Sequence, residues 1–289
     1  MTDPAHGAVL ARHRNADLRT LAWRADWIRL RTIELVEIAG SGHYSSVFSC
    51  AEILAALYYK VLRLKPSQPR WEDRDRFLLG KGHAAIGVYP CLADLGMFPR
   101  EWLASYTRLG SPLGDHPDMT KVPGIDFSSG SIGHNLSVGT GAALAAKLRR
   151  RDWLTYVLLG DGELNEGQVW EAAMSAAHYR LDNLVAIVDA NGMGLDGNIE
   201  DVMNIEPIAA KFESFGWAAH EIDGHDLAQV VQALEAAPVA GRPRVIVART
   251  VKGKGVKFME ETPWWHLGYL GAADKEVAIR EIRARMGEP

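Results

Sequence analysis

The chain has 289 residues, of which 47% are hydrophobic and 24% charged, the profile of an ordinary globular protein. A formal net charge of -4 supplies no basic footprint for nucleic acid. Two cysteines, Cys50 and Cys91, fit neither a disulfide framework nor a metal-ligand spacing, and the absence of an apolar run of 18 residues or more excludes a membrane-spanning helix.

In chain order, residues 1–16 read as a loosely ordered lead-in. They lack the apolar stretch of a secretory signal, so a cytoplasmic protein is expected. Leu18, Leu21, Trp23, Ile28, Ile33, Leu35 and Val36 suit a helix from Asp17 to about Ile38, stopped at Gly40-Ser41-Gly42. Residues 50–62 form a second apolar helix. Arg76-Phe77-Leu78-Leu79 reads as a short buried strand ending at Gly80, followed by a helix from Ala84 to Leu95. A glycine- and proline-rich loop spans Gly110–Gly133, and a helix runs from Leu136 to about Leu148.

The central segment is clearer. Thr155–Leu159 is a continuous apolar strand of the buried parallel kind, Gly160-Asp161-Gly162 follows it, and a helix passes through Trp170, Ala173, Met174 and Ala177. Leu184–Val188 is a second such strand, ending at Asp189-Ala190-Asn191. This is a βαβ unit with parallel strands and a right-handed crossover. A helix near 206–214, a strand near 217–222, a helix near 226–236, the strand Val245–Ala248 and a helix from Asp274 to Met286 continue the alternation. The expectation is one α/β domain over residues 17–289, a largely parallel sheet with helices on both faces.

In open α/β sheets ligands gather beyond the carboxyl ends of the strands. That rule selects Gly160-Asp161-Gly162 and Asp189-Ala190-Asn191-Gly192. Glycines let a backbone approach a phosphate closely, and Asp161 and Asn191 offer the hard oxygens that magnesium shares with phosphates. Gly-Asp-Gly by itself is also the composition of an ordinary turn. Here a strand precedes it, a helix follows, and residues 163–190 lead to a second strand ending in Asn191. In that setting the arrangement resembles the thiamine-diphosphate motif.

Seven short motifs then narrow the family. They are Ser41-Gly42-His43, Lys81-Gly82-His83-Ala84, Gly114-Asp115-His116-Pro117, Gly130-Ser131-Ile132-Gly133, the run from Gly160 to Gly167, Asp223-Gly224-His225-Asp226 and Lys252-Gly253-Lys254-Gly255-Val256. In this order they are similar to the N-terminal third of transketolase, over about residues 20–266. The resemblance implies the thiamine-diphosphate-binding fold and a set of roles. Asp161, Asn191 and the carbonyl of Met193 would hold Mg2+ (or Ca2+ or Mn2+). His83, Gly162 and His266 would touch the diphosphate of thiamine diphosphate, with Gly160 and Glu163 beside them. Gly130 and Ile132 would meet its aminopyrimidine, and Leu195 its thiazolium face. His43 and His116, with His266, would face the substrate, and Glu166 would sit where the two cofactor sites of an assembly meet. Transketolase chemistry moves protons on sugar hydroxyls near neutral pH, which suits histidine. Taken singly, each histidine also reads as a hydrogen-bonded structural residue.

Two segments depart from the family pattern. His134-Asn135 stands where Gln-Gly is usual, Asn135 serving by capping the helix or by tolerating a left-handed backbone. Leu267-Gly268 follows His266 where a glycine is usual. Trp264-Trp265 reads as an interface anchor or a lid, and His225 as a turn residue beside the helix cap Asp226. The family's glutamate that protonates the aminopyrimidine, and its sugar-phosphate grips, belong to a second domain that is not found before Pro289. A second transketolase subunit in an α2β2 assembly is therefore expected, with sugar phosphates as substrates. The competing readings are the α subunit of a 2-oxo-acid decarboxylating enzyme, a deoxyxylulose-phosphate synthase relative, and a non-catalytic relative. A plain dinucleotide-binding domain is disfavoured, since no Gly-x-Gly-x-x-Gly follows the first strand.

Overall fold

A computed structural model describes residues 16–287; the lead-in expected at 1–16 lies, apart from Ala16, outside the described residues. Helix α1 (Leu18–Ala39) begins where Asp17 accepts a hydrogen bond from the Thr20 amide at 2.8 Å, and it ends at Gly40 with φ +82°. An aspartate cap and a left-handed glycine are what the sequence supplies at these two points. Helix α2 (Ala51–Ala56) runs on into a π turn over Leu57–Val61, so the expected helix at 50–62 is real but not regular. Strand β1 (Arg76–Leu79) and helix α3 (Ala85–Asp94) fall where expected. Helix α4 (His134–Leu148) starts two residues before the expected Leu136.

The remaining elements alternate: β2 (Thr155–Gly160), α5 (Gly167–His178), β3 (Leu184–Ala190), α6 (Ile208–Ser214), β4 (Ala218–Asp223), α7 (Leu227–Glu235), β5 (Arg244–Arg249) and α8 (Ala272–Arg285). The five strands pair in the order β1-β2-β3-β5-β4, all parallel.

Period-two alternation along these strands feeds two cores. Tyr156, Leu158, Val185, Ile187, Ile246 and Ala248 face a cluster containing Ile28, Ile33, Leu54, Tyr89 and Ile282 from α1, α2, α3 and α8. Val157, Leu159, Ala186, Val188, Val245 and Val247 face the opposite cluster, with Ala143, Val169, Ala173 and Phe212 from α4, α5 and α6. Both faces are thereby covered, which is why the strands read as unbroken apolar runs. On the second face Trp217 is fully buried, and its indole N–H reaches the Ala173 carbonyl at 2.9 Å.

Register sets the site. Gly160 pairs with Asp189, so β2 and β3 release Asp161 and Asn191 at neighbouring positions of the same sheet edge. Cys50 and Cys91 are free and buried. Among the described residues no helix is long and apolar enough to cross a membrane.

Candidate active site

The floor of the site is a buried charge pair. Asp189, fully buried, takes hydrogen bonds from Ser49 Oγ at 2.6 Å and from Lys81 Nζ and Thr250 Oγ1. The Asn191 Nδ2 group also donates to it, at 3.3 Å. Burial raises the carboxyl's pKa, but the Lys81 charge together with the hydrogen bonds from Lys81, Ser49 and Thr250 holds it below the ordinary value. Because its Nδ2 is turned to Asp189, Asn191 presents Oδ1 on the other side, where it accepts from the Met193 amide at 3.1 Å.

Asp161 stands one strand over. Its Oδ1 accepts from the Gly162 amide at 2.9 Å and its Oδ2 from the Gly192 amide at 2.6 Å. Burial, and then the nearby Asp189 charge, push its carboxyl up to about 7. Such a carboxylate lacks a cation close enough to offset its desolvation. Carboxylate, amide oxygen and main-chain carbonyl form an all-oxygen donor set of the kind magnesium accepts, so these residues fit the ion. Among the described residues no group of three or more His, Cys, Asp or Glu is placed to hold a metal, in keeping with a set that contains only one such side chain.

Asp161, Asn191 and Met193 line a cleft of about 370 Å3 together with His83, Ile132, Gly160, Gly162, Glu163, Leu195 and His266. Ten of the residues expected in the site thus share one cavity. Glu163 is 3% exposed and uses its carboxylate on two backbone amides, Gly133 at 2.8 Å and Gly160 at 3.1 Å. It ties the end of β2 to the start of α4. Gly80 must be glycine here, since a Cβ would lie 2.5 Å from Glu163 Oε2. Gly133 carries the left-handed turn into α4, with φ +87°.

Three imidazoles gather at one side. The rings of His43 and His83 are 4.9 Å apart, those of His83 and His266 5.2 Å, and those of His43 and His266 5.4 Å. Burial, then Lys81, lowers His83 well below the ordinary value, and burial, then Lys252, lowers His266 to about 3. Both are therefore neutral near pH 7 and act as uncharged donors or acceptors. His116 lies next to Gly130, where an added Cβ would come within 3.8 Å of its Cδ2. Neither His43, His116, Gly130 nor Glu166 lines the cleft itself. Glu166 is exposed and packs its Cβ where a Cβ on Gly133 would be, 2.6 Å away.

Reasoning from sequence missed Lys252 as a site residue. Its Nζ reaches the Gly194 carbonyl at 2.6 Å and the Met193 carbonyl at 3.3 Å inside the cleft, and burial, then Lys81, lowers it to about 8. It keeps a positive charge near neutral pH at the cleft. The Lys-Gly-Lys-Gly motif contained the signal, but not which lysine turns inward.

Two expectations, for Asn135 and His225, need correction. Asn135 neither caps α4 nor takes a left-handed backbone; it sits inside the helix, fully buried, and accepts from Ser129 Oγ at 3.0 Å. His134 is exposed and folds back on the Ile132 carbonyl at 3.2 Å. His225 is more than a turn residue: its Nδ1 is 3.1 Å from Glu52 Oε2 and its Nε2 accepts from the Val251 amide at 2.9 Å. Asp226 does cap α7, through the amides of Ala228 and Gln229. Trp264 is 83% exposed, whereas Trp265 packs edge-on against Phe258 at 5.5 Å and gives its carbonyl to Ser45.

Residues 22–288 match the family model described as transketolase, thiamine diphosphate binding domain. The chain is 38% identical over 270 residues to one subunit of the apulose-4-phosphate transketolase of Phocaeicola vulgatus, covering 93% of this chain and 96% of that one. It is 42% identical over 241 residues to 6-deoxy-6-sulfo-D-fructose transketolase subunit SqwG of a Clostridium species, covering 83% and 88% respectively. Against human transketolase the identity is 36% over 270 residues, and the chain spans only 43% of that protein. The transketolase structure from Campylobacter jejuni superposes with a TM-score of 0.88 at 30% identity, covering 93% of this chain and 43% of that one. The parallel sheet and these matches agree: the chain belongs to the transketolase family and carries its thiamine-diphosphate-binding domain.

Proposed function

We propose that this chain, as one diphosphate-binding domain over residues 17–289, works with a second subunit in the cytoplasm. Together they move a two-carbon ketol unit from a ketose or ketose phosphate to an aldose or aldose phosphate. The carrying observation is the single cleft in which an all-oxygen donor set, a charged lysine and two neutral histidines converge at adjacent strand ends. When bound, thiamine diphosphate supplies the nucleophilic carbon that takes up and passes on the two-carbon unit.

The chain's own residues bind, orient and handle protons. Asp161, Asn191 and the Met193 carbonyl would hold Mg2+. Lys252 adds positive charge, and His83 and His266 donate hydrogen bonds without adding more. Ile132 and Leu195 give apolar walls to the rings, with Gly130 leaving room at the aminopyrimidine. His43 and His116, on the open side, take and return protons on sugar hydroxyls.

Several large apolar side chains around this site are exposed: Leu195 at 63%, Met203 at 61% and Trp264 at 83%. Exposure of this kind supports a partner surface here, completing an α2β2 assembly with Glu166 near the contact. The Phocaeicola and Clostridium relatives are themselves named as transketolase subunits, which supports the same two-chain arrangement. The substrates in their names recommend a donor panel that includes apulose 4-phosphate and 6-deoxy-6-sulfo-D-fructose beside the common ketose phosphates. The test is a coupled ketol-transfer assay on the chain alone, on the partner alone and on the mixture. Turnover is expected only in the mixture, and turnover by the single chain overturns the proposal.

A further inference from the structure

Asp115 occupies a position that the binding roles above leave unused. Its Oδ1 lies 3.6 Å from His43 Nδ1, and its Oδ2 lies 3.4 Å from His116 Nδ1. One carboxylate thus faces the same ring nitrogen of two histidines, through different oxygens. The carboxylate is held in turn. Tyr106 donates to Oδ1 at 3.2 Å, and Tyr89 donates to the neighbouring Gly114 carbonyl at 2.9 Å. Both tyrosine rings are buried and meet edge-on at 6.0 Å, so the loop bearing Asp115 is anchored on a packed aromatic pair.

Two further observations give this geometry a purpose. His43 Nδ1 is buried and has no hydrogen-bond partner, so the carboxylate beside it is the group its proton can serve. The contact with His43, acting against burial, keeps the Asp115 carboxyl below its ordinary value, so it is anionic throughout the neutral range.

A neutral imidazole carries one proton on one of two nitrogens, and a carboxylate beside Nδ1 draws the proton there. The Nε2 atom is then a lone-pair acceptor, as in triads where an aspartate fixes the tautomer of the base. Both rings lie beside the cleft. The His43 ring packs against His83 and His266, both of which line the cleft. For His116, the atom nearest Gly130 is Cδ2, the ring carbon bonded to Nε2.

We propose that Asp115 is a positioning residue that fixes His43 and His116 together as Nδ1–H tautomers and so presents their two Nε2 atoms as paired proton acceptors to the hydroxyls of the sugar. This rests on the reading that these two histidines face the substrate. A hydroxyl proton moves to Nε2, the imidazolium formed is offset by the Asp115 charge, and the same proton returns to the product oxygen. No proton need leave Asp115's side of the ring.

The test compares the wild-type chain with D115N and D115A, each mixed with its partner subunit. Long-range 1H–15N correlation spectra of histidine-labelled protein at about pH 8.5, two units above the ordinary imidazole pKa, report ring tautomers directly. His43→Gln and His116→Gln assign the signals. Both histidines are expected as Nδ1–H in the wild type. In D115A both should shift toward the Nε2–H form. The uncharged Asn of D115N keeps the acceptor for Tyr106 but can hold at most one imidazole. In the ketol-transfer assay kcat should fall about tenfold or more in both variants, part of the ~100-fold or larger contribution of a general base, while KM and cofactor affinity stay within about twofold. A merely structural aspartate would leave the tautomers unchanged. Unchanged tautomers in both variants, or unchanged kcat, overturn the proposal. If the wild-type mixture shows no ketol transfer at all, the functional reading fails while the tautomer spectra still decide the role of Asp115.

Discussion

The substitution Glu52→Gln tests how far the site depends on charges buried behind it. Arg29 is 2% exposed, and its guanidinium donates to Glu52 at 2.8 Å, to Asp26 at 3.0 Å and to the Phe48 carbonyl at 2.8 Å. Glu52 is 8% exposed and also meets His225, which holds the amide of Val251, the residue before Lys252. Burial alone would raise the Glu52 carboxyl, but Arg29 and then His225 bring it from 4.5 down to about 2. A depression of about 2.5 units corresponds to about 3 kcal/mol of stability at neutral pH. The direct estimate for breaking one side of a buried pair, about 3–5 kcal/mol, agrees. Because the folded value lies below the unfolded one, this stability is fully present above about pH 4.5 and is lost as the pH falls toward 2. At pH 3 about 1.4 kcal/mol of it remains. Urea unfolding of wild-type and E52Q chains should therefore differ by about 3 kcal/mol at pH 6–7, narrowing by about 2 kcal/mol by pH 3. A difference below about 1 kcal/mol at pH 7, or one that stays constant to pH 3, refutes the reasoning.

Other expectations concern the cleft itself. Asp161→Ala should weaken magnesium-dependent binding of thiamine diphosphate by about 100-fold or more, measured by calorimetry with the partner present; unchanged affinity removes Asp161 from the metal site. His116→Ala should spare cofactor affinity and lower kcat by about 10²–10⁴-fold, whereas His83→Ala should weaken cofactor binding first; steady-state kinetics showing the reverse order would exchange their places. Titration of the reconstituted complex should reach one cofactor per pair of unlike chains, and saturation of the single chain with equal affinity would contradict a site shared between subunits.

What could be read from the sequence was what local chemistry determines. Thr155–Leu159 and Leu184–Val188 are apolar on both faces, which only a doubly covered parallel sheet tolerates. The glycines on either side of Asp161 mark a strand end that must stay open. Order of motifs then carried the family. The features that stayed hidden are made by contacts distant in sequence. His225 reads as a turn residue because nothing near it shows that Glu52, far back on α2, lies against its ring. Asn135 reads as a helix cap until Ser129 is found opposite its amide. Lys252 and Lys254 are equivalent in the motif, and only the end of β5 beside the Met193–Gly194 backbone tells them apart. The π turn at Leu57–Val61 was likewise not legible, since its composition is that of an ordinary helix.

The charges of the cleft form an order from the inside outward. Deepest is the Lys81–Asp189 pair, compensated within the chain and closed to solvent. It sets the face that Asn191 presents, and its negative member adds to burial in raising Asp161 to about 7. Asp161 is therefore stabilised as a carboxylate by whatever cation arrives, and the neighbouring Lys252 is itself lowered to about 8 by burial and by Lys81. In both groups burial, with a charge of that floor added to it, disfavours the ionised form. A divalent ion joined to a diphosphate relieves both together, the ion at Asp161 and the anion at Lys252. Cofactor and metal are thus expected to bind cooperatively. The enthalpy and affinity for thiamine diphosphate should depend steeply on magnesium in the wild type, and only weakly in Asp161→Ala. If magnesium and thiamine diphosphate bound independently in the wild-type complex, the two charges would not be coupled through this floor, and the account of why Asp161 and Lys252 share one cleft would fail.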